Sequence, residues 1–334
     1  MSGQGNSREE IKDRIKPILD RVAVDGLRAW LKSVNLIGSA YSRADITDLI
    51  VKQIFEEKLT EAALEIALIG FEEASDMRIY LFRLEEMPQV AAETWIPARL
   101  KAADIPLCAT RSFAGDKVKP MSPVYAHLEG GLLRVKWAEQ QQRSKINDKG
   151  TGLETKPVFK RIVLIVDFLQ RTAELRLNPP ENGHSYEDGG GRVTAEAYYS
   201  AYIDKTRNLL GCELLASELR PVIKRLVQEE PRRVRIHIDN HTDQGNYKSK
   251  TTGAKADIRD SSDWQMTYNA SGETWAWDAQ SFYWLPKVST GFLAREVFSH
   301  IDAETGFVKV NADCSDNEVT YVVSQIRARE EAKS

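Results

Sequence analysis

Phe159–Gln170, FKRIVLIVDFLQ, carries the strongest β-strand signal in the chain. It is rich in β-branched residues, which favour strands because their side chains pack well on a pleated surface. We therefore predict a buried strand here. The preceding segment Leu132–Gln141, LLRVKWAEQQ, alternates apolar with polar residues and predicts a second strand. Between the two lies INDKGTG, whose Asn, Asp and Gly residues suit tight turns.

The N-terminal part of the chain carries helical patterns instead. Apolar residues recur at helical spacing, and Ser42-Arg-Ala-Asp45 resembles a capping box that begins a helix. Thr60 is a candidate N-cap for a further helix. Another helix is predicted between Met77 and Leu84. Short helices at this close spacing are typical of a small bundle.

After residue 193 helical and strand patterns follow one another. A helix opens at Thr194, and a second one contains Pro221 in its first turn or at a kink. Strands are predicted around 233–241, 254–258, 264–268, 274–278 and 281–285, followed by a hairpin at 306–311 and 318–326. The dense Trp and Tyr residues of 264–284 are expected to pack mainly in the core of this sheet.

Together these patterns predict an α+β fold, with an N-terminal helical bundle followed by a mostly antiparallel β-sheet region with inserted helices. The predicted domains are a helical bundle at 1–93, a basic β-sheet module at 97–180, and helices with an aromatic-rich antiparallel sheet at 193–330.

Composition narrows the classes of protein. The chain has 334 residues, of which 42% are hydrophobic and 28% charged, as in ordinary globular proteins. Its net charge of −3 excludes a globally basic, histone-like protein, so nucleic acid would need a local patch. Three scattered cysteines without a CxxC pair argue against a zinc ribbon and fit a reducing compartment.

The sequence carries no pattern that predicts secretion or membrane insertion. The N-terminus lacks the apolar core of a signal peptide, and no apolar run approaches the roughly 18 residues of a membrane span. We therefore expect a cytoplasmic protein, or a nuclear one in a eukaryote, with no membrane partner.

A local basic patch is present in the middle of the chain. Residues 97–178 contain 15 Lys and Arg against 8 Asp and Glu, a net charge of +7. Lysine and arginine contacts to phosphates supply affinity for nucleic acid without regard to sequence. If the two central strands pair, we expect one exposed face to carry most of this charge. The predicted phosphate contacts are Arg134, Lys136, Lys145, Lys156, Lys160 and Arg161.

A second candidate site lies in Arg233–Asp243, RVRIHIDNHTD. Its alternation predicts that Val234 and Ile236 point to one side of a strand, while His237, Asp239 and His241 point to the other. Histidine and carboxylate two residues apart suit zinc, manganese or iron, with a third ligand from elsewhere. A solvated polar face of the sheet, which needs no metal, is favoured over the metal site, and recognition of another ligand is the third alternative.

Common catalytic signatures are absent from the sequence. It has no GxxxxGK[ST] phosphate loop, no GxSxG nucleophile elbow and no HExxH motif. No cofactor is therefore expected, and a non-catalytic protein is favoured over an enzyme.

The order of segments resembles the centromere protein N family. The resemblance rests on RADITDLIVKQIFEEKLTEAALEIAL, LLRVKWAEQQ and FKRIVLIVDF, and covers about residues 10–170. It implies a pyrin-like helical bundle followed by a basic β-sheet module that binds DNA and a nucleoprotein.

Three functions follow as hypotheses. The first is a non-catalytic binding protein that recognises nucleic acid or a nucleoprotein through the basic sheet, with the helices contacting a protein partner. The second is a metal-dependent hydrolase or nuclease that uses His237, Asp239 and His241. The third is a protein–protein adaptor or sensor in a multi-component system such as antiphage defence.

Overall fold

The computed structural model describes residues 7–20, 22, 24–36, 42–74, 76–88, 91–113, 121–146, 153–181, 194–242, 246–250, 255–289, 291–311 and 313–331. At positions 33, 144–146, 153, 155–157, 240, 242, 246–250 and 331 the backbone alone is described. None of the helices in these ranges is long and apolar enough to cross a membrane.

The helices are α1 (Arg8–Leu19), α2 (Val24–Ser33), α3 (Arg43–Phe55), α4 (Glu61–Ala74), α5 (Ala92–Ala102), α6 (Ala195–Leu210), α7 (Leu219–Gln228), α8 (Ser262–Ser271) and α9 (Asp316–Glu331). The strands are β1 (Arg78–Glu85), β2 (Ser122–Glu129), β3 (Leu132–Ile146), β4 (Leu153–Asp167), β5 (Thr172–Leu177), β6 (Glu213–Ala216), β7 (Val234–Thr242), β8 (Asn246–Lys250), β9 (Ala276–Trp284), β10 (Val297–Asp302) and β11 (Phe307–Val310). The α+β class, with N-terminal helices followed by antiparallel sheet, is confirmed.

The chain forms two compact units. The central unit is residues 77–217, and the terminal unit combines residues 1–76 with 218–334. This grouping differs from the predicted ranges 1–93, 97–180 and 193–330. The N-terminal helices belong with the C-terminal sheet because α4 packs against α9 within the terminal unit.

The predicted helix starts are found where side chains can cap them. Ser42 and Asp45 form the expected capping box before α3. The Thr60 hydroxyl accepts a hydrogen bond from the Ala63 amide at the start of α4, and Thr194 accepts one from the Ala197 amide at the start of α6. Each bond satisfies an amide that has no partner within its helix, and this stabilises the first turn. Pro221 lies in the first turn of α7.

The predicted helix at 77–84 is wrong, because this segment is β1. Buried residues occupy both faces of the strand, with Ile79 and Leu81 on one face and Phe82 and Leu84 on the other. The strand pairs with β5 on one edge and with β6 on the other. A short apolar run of this kind does not distinguish a buried strand from a helix by periodicity.

Two predicted strands are helices. Residues 264–268 belong to α8, where Ser261 accepts a hydrogen bond from the Trp264 amide. The second arm of the predicted hairpin, 318–326, belongs to α9. There Ser315 and Glu318 exchange hydrogen bonds between each backbone amide and the other side chain, as in a capping box. Ser315, which lies between the two predicted arms of the hairpin, therefore begins a helix.

The remaining corrections concern the terminal sheet. Residues 246–250, which lie between the predicted strands 233–241 and 254–258, form β8. The strands predicted at 274–278 and 281–285 are one strand, β9. Residues 258–260 form a 3-10 turn at the end of the strand predicted at 254–258. Strand β10 was not predicted. In the terminal unit the order is β11-β10-β9-β7-β8, with antiparallel pairing.

The central sheet has the order β2-β3-β4-β5-β1-β6 and is antiparallel throughout. One of its faces packs on α5 and α6 in a single apolar cluster. Trp137 and Leu164 of the sheet are fully buried there, as are Tyr198 and Tyr202 of α6.

Candidate nucleic-acid interface

Strands β3 and β4 extend beyond the rest of the central sheet. They pair continuously from Leu132↔Asp167 to Ile146↔Leu153. β2 pairs with β3 only as far as Ala138, and β5 pairs with β4 only from Ile162. No other strand in the described residues pairs with 139–146 or 153–160, which we call the β3–β4 ribbon. Eight residues per strand span about 26 Å.

The cross-strand register divides the predicted phosphate contacts between two faces. Residues directly opposite each other project from the same face of a sheet. Lys136 lies opposite Val163, and Arg161 lies opposite Ala138, so Lys136 and Arg161 share one face. Arg134, two residues before Lys136, is on this face as well. We call it the Lys136 face.

The cations of the Lys136 face are not arranged as an exposed surface. Lys136 is 0% exposed and donates to the Ser112 carbonyl at 3.2 Å. Arg134 is 8% exposed, and the Arg161 Nε donates to the Asn178 Oδ1 at 3.0 Å. The expectation that these residues join the others on one exposed ridge is therefore wrong. Their long apolar stems suit this burial.

Lys160 lies on the other face, which we call the Trp137 face because Trp137 belongs to it. Lys160 is directly opposite Glu139. It is 7% exposed, and its ammonium lies 2.6 Å from a carboxylate oxygen of Glu181. Arg143 binds the same carboxylate through two hydrogen bonds of 2.7 Å. The two cations hold the pKa of Glu181 down at about 2, the Arg143 hydrogen bonds first and Lys160 next.

A buried polar network continues from this ion cluster to α6. The Glu139 carboxylate is 1% exposed and accepts hydrogen bonds from the Tyr202 hydroxyl at 2.9 Å and from the Gln141 side-chain amide. Gln141 in turn accepts from the Glu181 backbone amide at 2.8 Å. A buried carboxylate requires such donors. The network therefore anchors the root of the ribbon to α6.

Sequence reasoning missed this network, although part of it had a signal. Glu139 and Gln141 continue the alternation of Leu133, Val135 and Trp137, so they occupy inward positions of a strand. A polar residue at an inward position calls for a buried partner. Glu181 lies in an irregular segment and carried no comparable pattern.

The outer part of the ribbon is described by its backbone. Position 143 pairs with position 156, and position 145 pairs with 154, so Arg143, Lys145, Glu154 and Lys156 occupy register positions on the Trp137 face. The side chains of Lys145 and Lys156 lie outside the described part. Arg143 keeps 55% of its side chain exposed.

The predicted alternation of β7 is broken by a bulge at His237. Ile236 lies opposite Phe282 of β9, but Ile238 lies opposite Ser281, so His237 is an extra residue without a cross-strand partner. A bulge shifts the following residues to the other face. Asp239 consequently lies opposite Gln280 on the buried face that carries Phe282.

His237 projects from the opposite face of this sheet. Its ring packs edge-on against Tyr283 at 5.7 Å between centroids. Arg235 shares this side, because its guanidinium lies 4.2 Å from the centre of the same ring. The prediction that His237, Asp239 and His241 share one face is therefore wrong. The described residues contain no group of three or more His, Cys, Asp or Glu side chains placed to hold a metal ion.

Asp239 and His241 form a buried cluster with aromatic residues instead of a solvated face. The Asp239 carboxylate accepts from the Trp264 indole at 2.6 Å and from the Gln280 amide, and it lies 3.2 Å from the His241 Nδ1. The His241 ring stacks on Trp275 at 3.5 Å and 8°. These contacts support a packing role, in which the carboxylate satisfies donors from three elements of the terminal unit.

No protein-family model matches the chain, and a search of curated proteins finds no similar sequence. The resemblance to the centromere protein N family stays a prediction.

Proposed function

We propose that the protein binds duplex DNA through the β3–β4 ribbon. The observation that supports this proposal is the extension of β3 and β4 past their neighbours, with Arg143, Lys145 and Lys156 at register positions on one face. One acidic residue, Glu154, shares these positions, so the strands still carry an excess of positive charge there. A two-stranded ribbon fits the major groove of B-form DNA, which is about 12 Å wide. A-form RNA has a deep, narrow major groove that side chains do not reach.

The charge of the ribbon suits phosphates better than base edges. Arg143 keeps most of its side chain exposed while its guanidinium pairs with Glu181. Lys160 is buried against the same carboxylate. The outer positions Lys145 and Lys156 are therefore the main candidates for phosphate contacts. Contacts of Lys and Arg with phosphates supply an affinity for DNA that does not depend on base sequence and that weakens as the salt concentration rises. Lys160 and Glu139 would then hold the ribbon in place while its outer positions meet the backbone of the duplex.

The test is fluorescence anisotropy with a labelled duplex of about 20 base pairs at several salt concentrations. The double variant Lys145→Glu/Lys156→Glu should weaken binding about tenfold or more at low salt and flatten the salt dependence by roughly two counterions. The matched control Lys16→Glu/Lys32→Glu changes the same charge on exposed helix positions and should bind within about twofold of the unmodified protein.

Two outcomes would contradict the proposal. One is an unmodified protein that shows no saturable, salt-dependent binding to the duplex. The other is an equal loss in the ribbon variant and the helix control, which would assign the effect to net charge alone. A duplex RNA of the same length should bind more weakly than the DNA. Hydrolase activity and an adaptor role stay predictions, although His237 does not share the face of Asp239 on which the metal site was expected.

A further inference from the structure

The central unit contains a cavity that the ribbon does not use. Its volume is about 470 Å³, and it is lined by the end of α5, by Trp137 of β3 and by one side of α6. Pockets that bind small molecules occupy roughly 300–1,000 Å³ and combine apolar walls with a few polar groups. The cavity has apolar walls of this kind, with Ala102, Ile105 and Leu209 among its lining residues.

Two cations reach the wall of the cavity. The Lys205 ammonium lies 5.7 Å from the centre of the Trp137 ring and donates to the Met121 carbonyl at 2.9 Å. An ammonium carries three donors, so this one bond, its single hydrogen bond to a described residue, leaves capacity for a ligand. Burial lowers the pKa of Lys205, while the charge of Glu139 opposes this shift. A bound anion would offset the cost of keeping the ammonium charged.

Arg99, the second cation, is fixed by the end of α6. Its Nη1 donates to the Leu209 carbonyl at 3.4 Å. Gly211 ends the helix with φ 63°, and a Cβ there would lie 2.3 Å from the Arg99 Nη2. Glycine therefore provides both the left-handed turn and the space for the guanidinium. The Asp204 carboxylate, which also lines the cavity, is engaged by Arg207 at 3.0 Å.

Trp137 forms the base of this wall, because its ring lies beneath the Lys205 ammonium. It is 0% exposed, and its indole Nε1 has no hydrogen-bond partner among the described residues. The ring therefore supports Lys205 from below, and the ammonium is the group that a ligand reaches. The cavity thus joins an ammonium with spare donors to apolar walls.

We propose that this cavity binds a small organic anion, with its charged oxygen atoms at Lys205 and its apolar body against Ala102, Ile105 and Leu209. The probe is 2-naphthoate, measured by isothermal titration calorimetry on the full chain. Its neutral analogue 2-naphthamide has nearly the same shape and should bind about tenfold more weakly or worse. Inorganic phosphate, which has no apolar body, should bind more weakly than 2-naphthoate.

The variant that tests the site is Lys205→Met, which removes the charge and keeps most of the stem. It should weaken 2-naphthoate about tenfold and leave 2-naphthamide unchanged, whereas Lys205→Arg should retain most of the affinity. Lys101→Met, an exposed α5 lysine outside the cavity wall, is the matched control and should bind as the unmodified protein does.

Comparing the two probes on the same variant keeps the test independent of folding. A misfolded variant would lose both 2-naphthoate and 2-naphthamide, which would leave Lys205→Arg to show the charge requirement. The proposal is overturned if 2-naphthoate does not bind the unmodified protein, if naphthamide binds equally well, or if phosphate binds as tightly as naphthoate.

Discussion

The polar residues of strands β3–β4 in the central unit and of β7–β9 in the terminal unit are placed by different cross-strand registers. Every residue from Leu132 to Ile146 has a cross-strand partner without a shift of register. The pairing of β7 with β9 shifts at His237 and again between Asn240 and His241. Alternation therefore assigns faces correctly along β3, and it assigns them wrongly along β7 after Ile236.

A correct face does not imply exposure to water. The Lys136 face of β3 was assigned correctly, and Lys136 is nevertheless fully buried. The bulge in β7 carries Asp239 to a buried face that already holds Trp264 and Gln280 as hydrogen-bond donors. The comparison teaches that polar residues in these sheets are placed by their buried partners, and that pattern alone does not separate such residues from a binding surface.

The largest effect is expected at the bulged strand. Asp239→Ala removes the acceptor of the Trp264 indole and the Gln280 amide inside the protein, which should lower the free energy of unfolding by about 3 kcal/mol. His237→Ala, at the partly exposed bulge, should cost about 1 kcal/mol or less. Urea unfolding followed by circular dichroism measures both.

The control for this prediction is Asp239→Asn, which keeps one oxygen acceptor and should fall between the two. Equal losses for Asp239→Ala and His237→Ala would mean that the two residues share one environment. That result would contradict the difference in stability expected between the buried Asp239 and the bulged His237.

What the sequence reveals depends on whether the signal is local. The capping residues Ser42, Thr60 and Thr194 were identified because each bond joins residues three positions apart. The bulge at His237 was not, since it depends on the partner strand. The buried state of Lys160 depends on Glu181, which lies 21 residues further along in an irregular segment. Candidate sites built from such residues need coordinates. A local signal is not always sufficient either, because the capped starts of α8 at Ser261 and of α9 at Ser315 were predicted as parts of strands and a hairpin.

The second prediction uses pH to test the ion cluster of Glu181, Arg143 and Lys160, which stabilises β3–β4 through charge and has no counterpart in the aromatic cluster of β7–β9. Arg143 and Lys160 lower the pKa of Glu181 from its ordinary 4.5 to about 2 in the folded protein. The ionised Glu181 carboxylate therefore contributes to the free energy of unfolding above its ordinary pKa, and this contribution is lost as the pH falls from about 4.5 toward 2. Glu181→Gln should remove about 2 kcal/mol of pH-dependent stability in this window.

Unfolding by urea at pH 7, 4 and 2.5 provides the measurement. The difference between the unmodified protein and Glu181→Gln should shrink as the pH falls. Glu129→Gln, at an exposed carboxylate of β2, is the control for loss of a negative charge. A difference that stays constant across the window would show that the ion cluster does not anchor the ribbon through charge.

The smallest effect is expected on the Lys136 face. Lys136→Met keeps the apolar stem beside Phe113 and Tyr125 and removes a buried charge. The lost hydrogen bond to Ser112 and the relieved desolvation of the ammonium act in opposite directions, so the free energy of unfolding should change by about 1 kcal/mol or less. Because Lys136 is buried, duplex affinity should stay within about twofold, in contrast to Lys145→Glu/Lys156→Glu. If Lys136→Met weakened the duplex as much as that pair, both faces would contribute phosphate contacts, and the distinction between a structural and a binding face of β3 would fail.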